Sequence, residues 1–357
     1  MKVAVVRNRN NEGIVNTLGQ PSPETYGRRS VQRIIDALWA NGHTVAYFEG
    51  DKQLIANLEE FMPSDPYAEH PGGIVLNMSY GIQGESRYSH VPGMLEMAGI
   101  PYTGSGPLGQ ALALDKVTAK SLMRDAGVPT PNFRVMSRCD SRTDDLNYPL
   151  IVKPRHESTS YGLRCVGNRK ELEDAAQVVF TEYQQEALVE EYIDGREVCI
   201  ALLGNDNIEF LPPVELDFDG RQLHTLTWED KYHKSADEPT KICPAPISEN
   251  LASRLCELSL TTFRLCQCKD YARVDIRISP SGDPFVLEIN SMASLGVGGT
   301  FVLAARTSGY TFESLTSRLL DITHERYFGV PLPPSTCSAD WEIEDLLLKE
   351  LAGSVPR

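Results

Sequence analysis

Long hydrophobic runs are missing from this chain. Stretches such as Leu150-Ile151-Val152 and Ile200-Ala201-Leu202-Leu203 fall far short of the ~18 residues that a membrane-spanning helix needs, so no membrane partner is expected. Blocks of lysine and arginine are missing too: 34 basic residues face 49 acidic ones, and the formal net charge is −15. A nucleic-acid binder needs a basic face, so that class is set aside. Any anionic ligand must then be held by a few placed cations. The N-terminal Met1-Lys2-Val3-Ala4-Val5-Val6-Arg7 turns polar before reaching the about 7 to 15 apolar residues of a secretory signal, which points to a cytoplasmic protein. The eight cysteines are scattered, and Cys266-Gln267-Cys268 has no second pair at metal-ligand spacing. Reduced thiols are therefore expected, not disulfides or a zinc site.

Two further absences narrow the chemistry. No Gly-x-Ser-x-Gly elbow occurs, which argues against a serine hydrolase. Gly104-Ser105-Gly106-Pro107-Leu108-Gly109 does fit a dinucleotide fingerprint, but it does not follow the first strand, and Pro107 removes a backbone donor. His233, alone in the polar stretch Lys231-Tyr232-His233-Lys234, reads as a surface residue before it reads as a base.

What is present is ordinary globular composition, 41% hydrophobic and 23% charged over 357 residues, enough for two or three units with their own cores. Residues 2 to 6, then Val31, Ile34, Ile35 and Leu38 at helical spacing, then Thr44 to Phe48 and Gly73 to Met78 imply a parallel strand-helix-strand unit. That unit (1–115) should end before a helix over Lys116 to Ala126. A central lobe (116–205) carries expected strands at Pro149 to Pro154, Gly162 to Val166, Ala187 to Tyr192 and Glu197 to Leu203, with a helix opened by Asn168 and Glu171 in capping-box spacing. A C-terminal lobe (206–329) contains the polar stretch Leu216 to Ser248, too long for a plain connector, and a helix from Asn250 with Leu251, Leu255, Leu258 and Leu265 on one face. An acidic tail (330–357) closes the chain. The fold class is α/β followed by α+β.

The sharpest chemical signal is the strand pair Tyr271–Ile278 and Phe285–Asn290, joined at Pro280-Ser281-Gly282-Asp283. Alternation puts Ala272, Val274, Ile276 and Ile278 on a core face and Arg273, Asp275 and Arg277 on the other. In the partner strand Leu287 and Ile289 are expected in the core, with Glu288 and Asn290 opposite. Two carboxylates and an amide oxygen suit Mg²⁺ bound through nucleotide phosphates, with Mn²⁺ as an alternative ion, and suit zinc poorly. A solvated hairpin face is the competing reading. Ile151-Val152-Lys153-Pro154 places a lysine just before Glu157-Ser158-Thr159-Ser160-Tyr161-Gly162, and one cation beside small donors and a glycine is what a polyphosphate needs. Glu190 and Glu197, within Glu190–Glu197, supply carboxylates for adenine and ribose or for an ordinary wet surface.

Together with Gly93–Gly106 and Ala111-Leu112-Ala113-Leu114-Asp115-Lys116, these segments resemble, in order and spacing, the D-alanine-D-alanine ligase branch of the ATP-grasp superfamily over about 1–329. The resemblance implies an ATP-grasp fold, with an N-terminal pre-ATP-grasp domain and two α+β lobes enclosing ATP. It implies an ADP-forming ligase that phosphorylates a carboxylate and couples the acyl phosphate to an amine. By it, Lys116 and Lys153 hold phosphates and Thr159 and Ser160 lie in the covering turn. Glu190 and Glu197 meet adenine and ribose, and Asp275, Glu288 and Asn290 carry Mg²⁺. Lys231 and Tyr232 belong to a closing loop, and Arg273 stabilises charge on the reacting carbonyl. It also favours a homodimer.

The departures concern substrate. The family's Gly-Gly-x-Ser-x-Glu turn is replaced by Arg7-Asn8-Arg9-Asn10-Asn11, continuing to Ser22-Pro23-Glu24, with Glu24 keeping the ammonium-binding role in a longer loop. Tyr80-Gly81 stands where the family has His-Gly. Ser291–Thr300 replaces the turn and serine that hold the second substrate's carboxylate, with Gly299 near the serine's place. The expected activity is therefore a carboxylate-amine ligase for small amino-acid-like substrates other than two D-alanines. The alternatives are a D-alanine-D-alanine ligase with a drifted pocket and a non-catalytic nucleotide-binding relative.

Overall fold

A computed structural model describes residues 1–9, 24–65, 67–68, 71–138, 143–218, 220–221 and 239–332. The chain opens with β1 (Lys2–Arg7), α1 (Arg28–Ala40), β2 (Thr44–Glu49), α2 (Leu54–Phe61) and β3 (Gly73–Asn77). Both β2 and β3 run parallel to the central β1. Val3 to Val6 are fully buried, as an unbroken apolar run requires when helices cover both faces of a parallel sheet. Arg7 and the segment after it thus emerge at the carboxyl ends of the strands, where such sheets place ligands.

A single 3-10 turn (Arg87–Ser89) leads into α3 (His90–Met97), α4 (Pro107–Leu114) and α5 (Lys116–Asp125). Asp115 caps α5 by accepting from the Val117 and Thr118 amides at 3.1 and 3.2 Å. The glycine fingerprint at 104–109 serves packing: the Gly104 amide is spent on Asp270 at 2.8 Å. The fully buried Asp270 also accepts from Thr323 and Arg326, which joins the first unit to the helix Phe312–Phe328.

β4 (Phe133–Met136), β5 (Leu150–Pro154), β6 (Arg164–Val166), α6 (Arg169–Val178) with a short π turn (Val179–Tyr183), and β7 (Ala187–Glu191) follow. Their sheet has the order β4-β7-β5-β6 and is antiparallel. Asn168 caps α6 as its sequence suggests, accepting from the Glu171 amide at 3.0 Å while Glu171 reaches back to the Gly167 amide. β8 (Arg196–Leu203) does not join β7 as expected. It pairs with β12 in the third sheet.

That sheet contains β8, β9 (Glu209–Phe210), β10 (Val214–Asp217), β11 (Thr240–Ile242), β12 (Tyr271–Ile278) and β13 (Pro284–Asn290), in the order β11-β10-β8-β12-β13 with β9 on β8. α7 (Glu249–Leu265) covers one face, and α8 (Thr300–Thr307) and α9 (Phe312–Phe328) complete the unit. The alternation of β12 is as expected: Ala272, Val274, Ile276 and Ile278 are all at most 3% exposed.

The expectation for β13 is half overturned. The pairing shifts between Asp275 and Ile276, so Asp275 lies opposite Glu288 while Ile276 lies opposite Val286. The bulge leaves Leu287 as the extra residue, and it lines the cavity rather than the core; Val286 and Ile289 are the core residues. A bulge breaks the two-residue period and bends the strand.

Candidate active site

A cavity of about 610 Å³ is lined by the second and third sheets and by loops of the N-terminal unit, and every expected site residue among the described ones lines it. Lys231 and Tyr232 lie outside the described residues; Leu216 and Lys241, on either side of that segment in the chain, line the cavity.

Strand register fixes the hairpin face. Asp275 is paired with Glu288 and Arg273 with Asn290, so the four polar side chains stand on one patch. The Arg273 guanidinium holds both Asp275 oxygens, at 2.6 and 2.7 Å, and the Asn290 amide donates to Asp275 at 3.0 Å. Arg273 is permanently charged, held upward by Asp275 and Glu288 against the cost of burial. This is no solvated face, since Asp275 is 7% exposed. Two carboxylates and one amide oxygen form a hard donor set, incomplete for an octahedral ion, which leaves positions for phosphate and water oxygens. The donor set fits Mg²⁺.

A second group stands on β5 and β7. Lys153 Nζ lies 2.5 Å from Glu190, and Lys120 Nζ from α5 lies 2.9 Å from the other Glu190 oxygen. Burial pushes the Glu190 carboxyl up, but the two lysines win and hold it down at about 2. Burial also pushes Lys153 down, and there Glu190 and Glu288 win, so its ammonium is held above the usual range. Lys116 is lowered, chiefly by burial, with Glu288 opposing and Lys153 adding to it. Its ammonium donates to the Glu157 carbonyl. Two buried cations share the Glu190 carboxylate, and the third, Lys116, stands within the field of Lys153 and Glu288 with no carboxylate of its own in hydrogen-bond contact among the described residues, which suits it to an anion. Glu197 lines the same region beside Arg277, 3.1 Å away.

Thr159 and Ser160 occupy the turn after β5 at φ 57° and 60°. A β-branched residue in the left-handed region is uncommon and costs on the order of 1 to 3 kcal/mol, and such outliers concentrate where ligands are clamped. Gly162 allows the turn to close, since a Cβ there would sit 2.7 Å from the Tyr183 ring.

The two remaining ends of the cavity are built from loops. Glu24 accepts from the Tyr88 hydroxyl at 2.6 Å and from Ser158. Its segment is held by Arg7, which donates to the Tyr26 carbonyl, and by Thr25, which donates to the Asn8 carbonyl. Tyr80 and Tyr26 form the wall beside it. At the other end Met292, Ser294, Gly296, Gly298, Gly299 and Thr300 line the cavity, and Gly299 precedes the first turn of α8. A Cβ on Gly299 would lie 3.1 Å from the Ser294 and Gly296 carbonyl oxygens. This backbone therefore accepts a serine there only by shifting. Thr300 Oγ1 is buried and has no hydrogen-bond partner among the described residues, which is costly unless a ligand supplies one.

Sequence reasoning placed Arg277 on the polar face of the hairpin without giving it a role, and it missed Lys120, Ser158, Tyr88 and Thr300. Lys120 had a signal, four residues after Lys116 on one helix face; Ser158 adjoins Thr159. The others come together only through tertiary contacts.

Comparison with known proteins follows the same outline. The family profile of the D-ala D-ala ligase C-terminus matches residues 122–321. An uncharacterized protein, y4sG, of Sinorhizobium fredii is 52% identical over 333 residues, covering 92% of this chain and 98% of its own. A D-alanine–D-alanine ligase of Syntrophobacter fumaroxidans is 34% identical over 257 residues, 71% of this chain and 80% of its own. The solved structure of a D-alanine–D-alanine ligase from Bacillus anthracis complexed with ATP superposes with a TM-score of 0.69 at 22% identity, covering 91% of this chain and 98% of that one. That likeness shows the ATP-grasp fold.

Proposed function

The chain belongs to the D-alanine–D-alanine ligase family, and on that premise we propose that it joins two amino-acid-like substrates other than two D-alanines. It is an ATP-grasp, ADP-forming ligase. The observation that carries the substrate reading is at the acceptor end: Gly299 stands near the place of the family's serine on a backbone that would have to shift to take a Cβ, and the orphaned hydroxyl of Thr300 is one residue further on. Tyr80 in place of the family's histidine changes the other end as well.

In the cycle that the side chains support, Lys116 and Lys153 hold the ATP phosphates and the Thr159-Ser160 turn covers them. Glu190 and Glu197 face adenine and ribose. Asp275, Glu288 and Asn290 would hold Mg²⁺, or Mn²⁺ in its place, which supplies charge neutralisation between the phosphates. Glu24 takes the ammonium of the first substrate, fixing its carboxylate for in-line attack on the γ-phosphorus with ADP leaving. The second substrate's neutral amine then attacks the acyl carbon, the bond to phosphate breaks, and the departing phosphate takes the proton that the nitrogen loses. Arg273 holds the oxygen that gains charge at that step. Thr300 and the first-turn amides of α8 take the acceptor's carboxylate. The family resemblance assigns to Lys231 and Tyr232, outside the described residues, closure over the acyl phosphate, which water would otherwise destroy. Cytoplasmic ATP and Mg²⁺ suit this chemistry.

The competing reading, a D-alanine–D-alanine ligase, rests on the names of the relatives. A dead site would show gaps among the metal and phosphate residues, and Lys153, Arg273, Asp275, Glu288 and Asn290 are all present. ADP release against a panel of amino acids, singly and in pairs, separates these readings. We expect turnover with a mixed pair; efficient release with D-alanine as the sole amino acid would remove the substrate reading.

A further inference from the structure

Three tyrosines of the N-terminal unit bridge the two amino-acid ends of the cavity. Tyr88 donates to Glu24 at 2.6 Å. The Tyr80 ring stands between the other two, with centroids 5.4 Å from Tyr88 and 5.2 Å from Tyr26, and lies within 8° of parallel to Tyr26. Tyr26 Oη accepts the backbone N–H of Leu295 at 3.0 Å and also meets the Tyr80 and Ser294 hydroxyls. The contact is continuous from the Glu24 carboxylate to the segment that leads from β13 into α8. All three rings are at most 7% exposed. A buried stack of rings cannot shorten or lengthen without repacking its surroundings.

Partner choice at each end of this rib is specific. A buried phenol must find hydrogen-bond partners, and a phenylalanine would fill the same wall without that demand. Tyr26 instead satisfies the one amide where the acceptor segment turns toward Thr300, while its own carbonyl is held by Arg7. Both ends of the rib are therefore anchored, one in each unit.

Resting on the ligase reading above, we propose that Tyr26 is a positioning residue: its hydroxyl fixes the Ser294–Thr300 segment relative to Glu24. The Tyr88–Tyr80–Tyr26 rib thereby sets the distance between the activated carboxyl and the attacking amine. Substrate pairs are then selected by separation as well as by contact, because a pair of the wrong span would need the rib to move.

Tyr26→Phe tests this, since it keeps the ring and removes the hydroxyl that accepts from Leu295 and meets Tyr80 and Ser294. Amide hydrogen exchange of the peptide 292–300 should quicken about tenfold, as expected for loss of one buried hydrogen bond, with the hairpin 271–290 unchanged. With the substrate pair found by ADP release, KM for the acceptor should rise about tenfold, while kcat and KM for ATP stay within about twofold. Tyr80→Phe retains the stack and the Leu295 bond, so exchange of the peptide 292–300 should stay near wild type. Unchanged exchange in Tyr26→Phe overturns the tie, and quicker exchange with an unmoved acceptor KM overturns its role in positioning. An equal rise in every KM would mark a general structural effect and also overturn it. If no amino-acid pair releases ADP, the ligase reading falls on that result alone, and the exchange measurement still decides whether Tyr26 fixes the segment.

Discussion

At the nucleotide end of the cavity the polar side chains stand largely on paired strands, whereas at the amino-acid ends they stand on loops and on the first turn of a helix. Arg273, Asp275, Glu288 and Asn290 are placed by the β12–β13 register, and Lys153 and Glu190 by β5–β7. A strand position cannot drift without moving its whole ladder. Glu24, Tyr80, Ser294 and Thr300 have no such constraint, and loops tolerate replacement. On the proposed reading, the family chemistry persists at one end and the pocket is rebuilt at the other, so that the fold changes what it joins while keeping how it joins.

The sharpest way to break this contrast is Glu288→Gln. Removing a charged ligand from the hard donor set should cut turnover by at least about 10²- to 10³-fold at saturating ATP, whichever substrates are used. Steady-state ADP release measures it, and retained activity would remove the metal assignment. Lys120→Met probes the same end through stability. Glu190 would keep only one of its two buried cations, which should cost about 3 kcal/mol in denaturant unfolding. Glu190 also has a pH signature: its carboxyl is held at about 2 when folded, against 4.5 as a free side chain. Its stabilisation is thus present above about pH 4.5 and is lost as pH falls from there toward 2. Thermal melts across that window should show a shallower loss in Lys120→Met than in wild type.

Changes at the amino-acid ends should instead leave ATP alone. Glu24→Gln should raise KM for the first substrate roughly tenfold to a hundredfold, the value of a hydrogen bond to a charged group, with KM for ATP unchanged. Thr300→Val, nearly isosteric, is the mildest test. KM for an acceptor bearing a carboxylate should rise up to about tenfold, and Thr300→Ser should restore it. If both variants weaken ATP equally, the two ends are not separable.

Much of the strand-borne end could be read from the sequence, because alternation in Tyr271–Ile278 and the lysine ending Ile151-Val152-Lys153 are local patterns. The exception there is Leu287, since nothing in Phe285–Asn290 marks a bulge. β8 was legible as a strand but not as a partner of β12, because pairing across about 70 residues leaves no local trace. The loop-borne end was legible only as departures. That Tyr80 and Gly299 differ from the family could be seen, but the stack of Tyr26, Tyr80 and Tyr88, three separate segments meeting in space, could not.

The contrast between the two ends is tested most directly by competition. With ATP and Mg²⁺, D-alanine and the most active amino-acid pair from the panel are supplied at equal concentration, and the products are weighed by mass spectrometry. The account expects the mixed product to predominate, with one ADP formed per bond. Predominance of D-alanyl-D-alanine would contradict it.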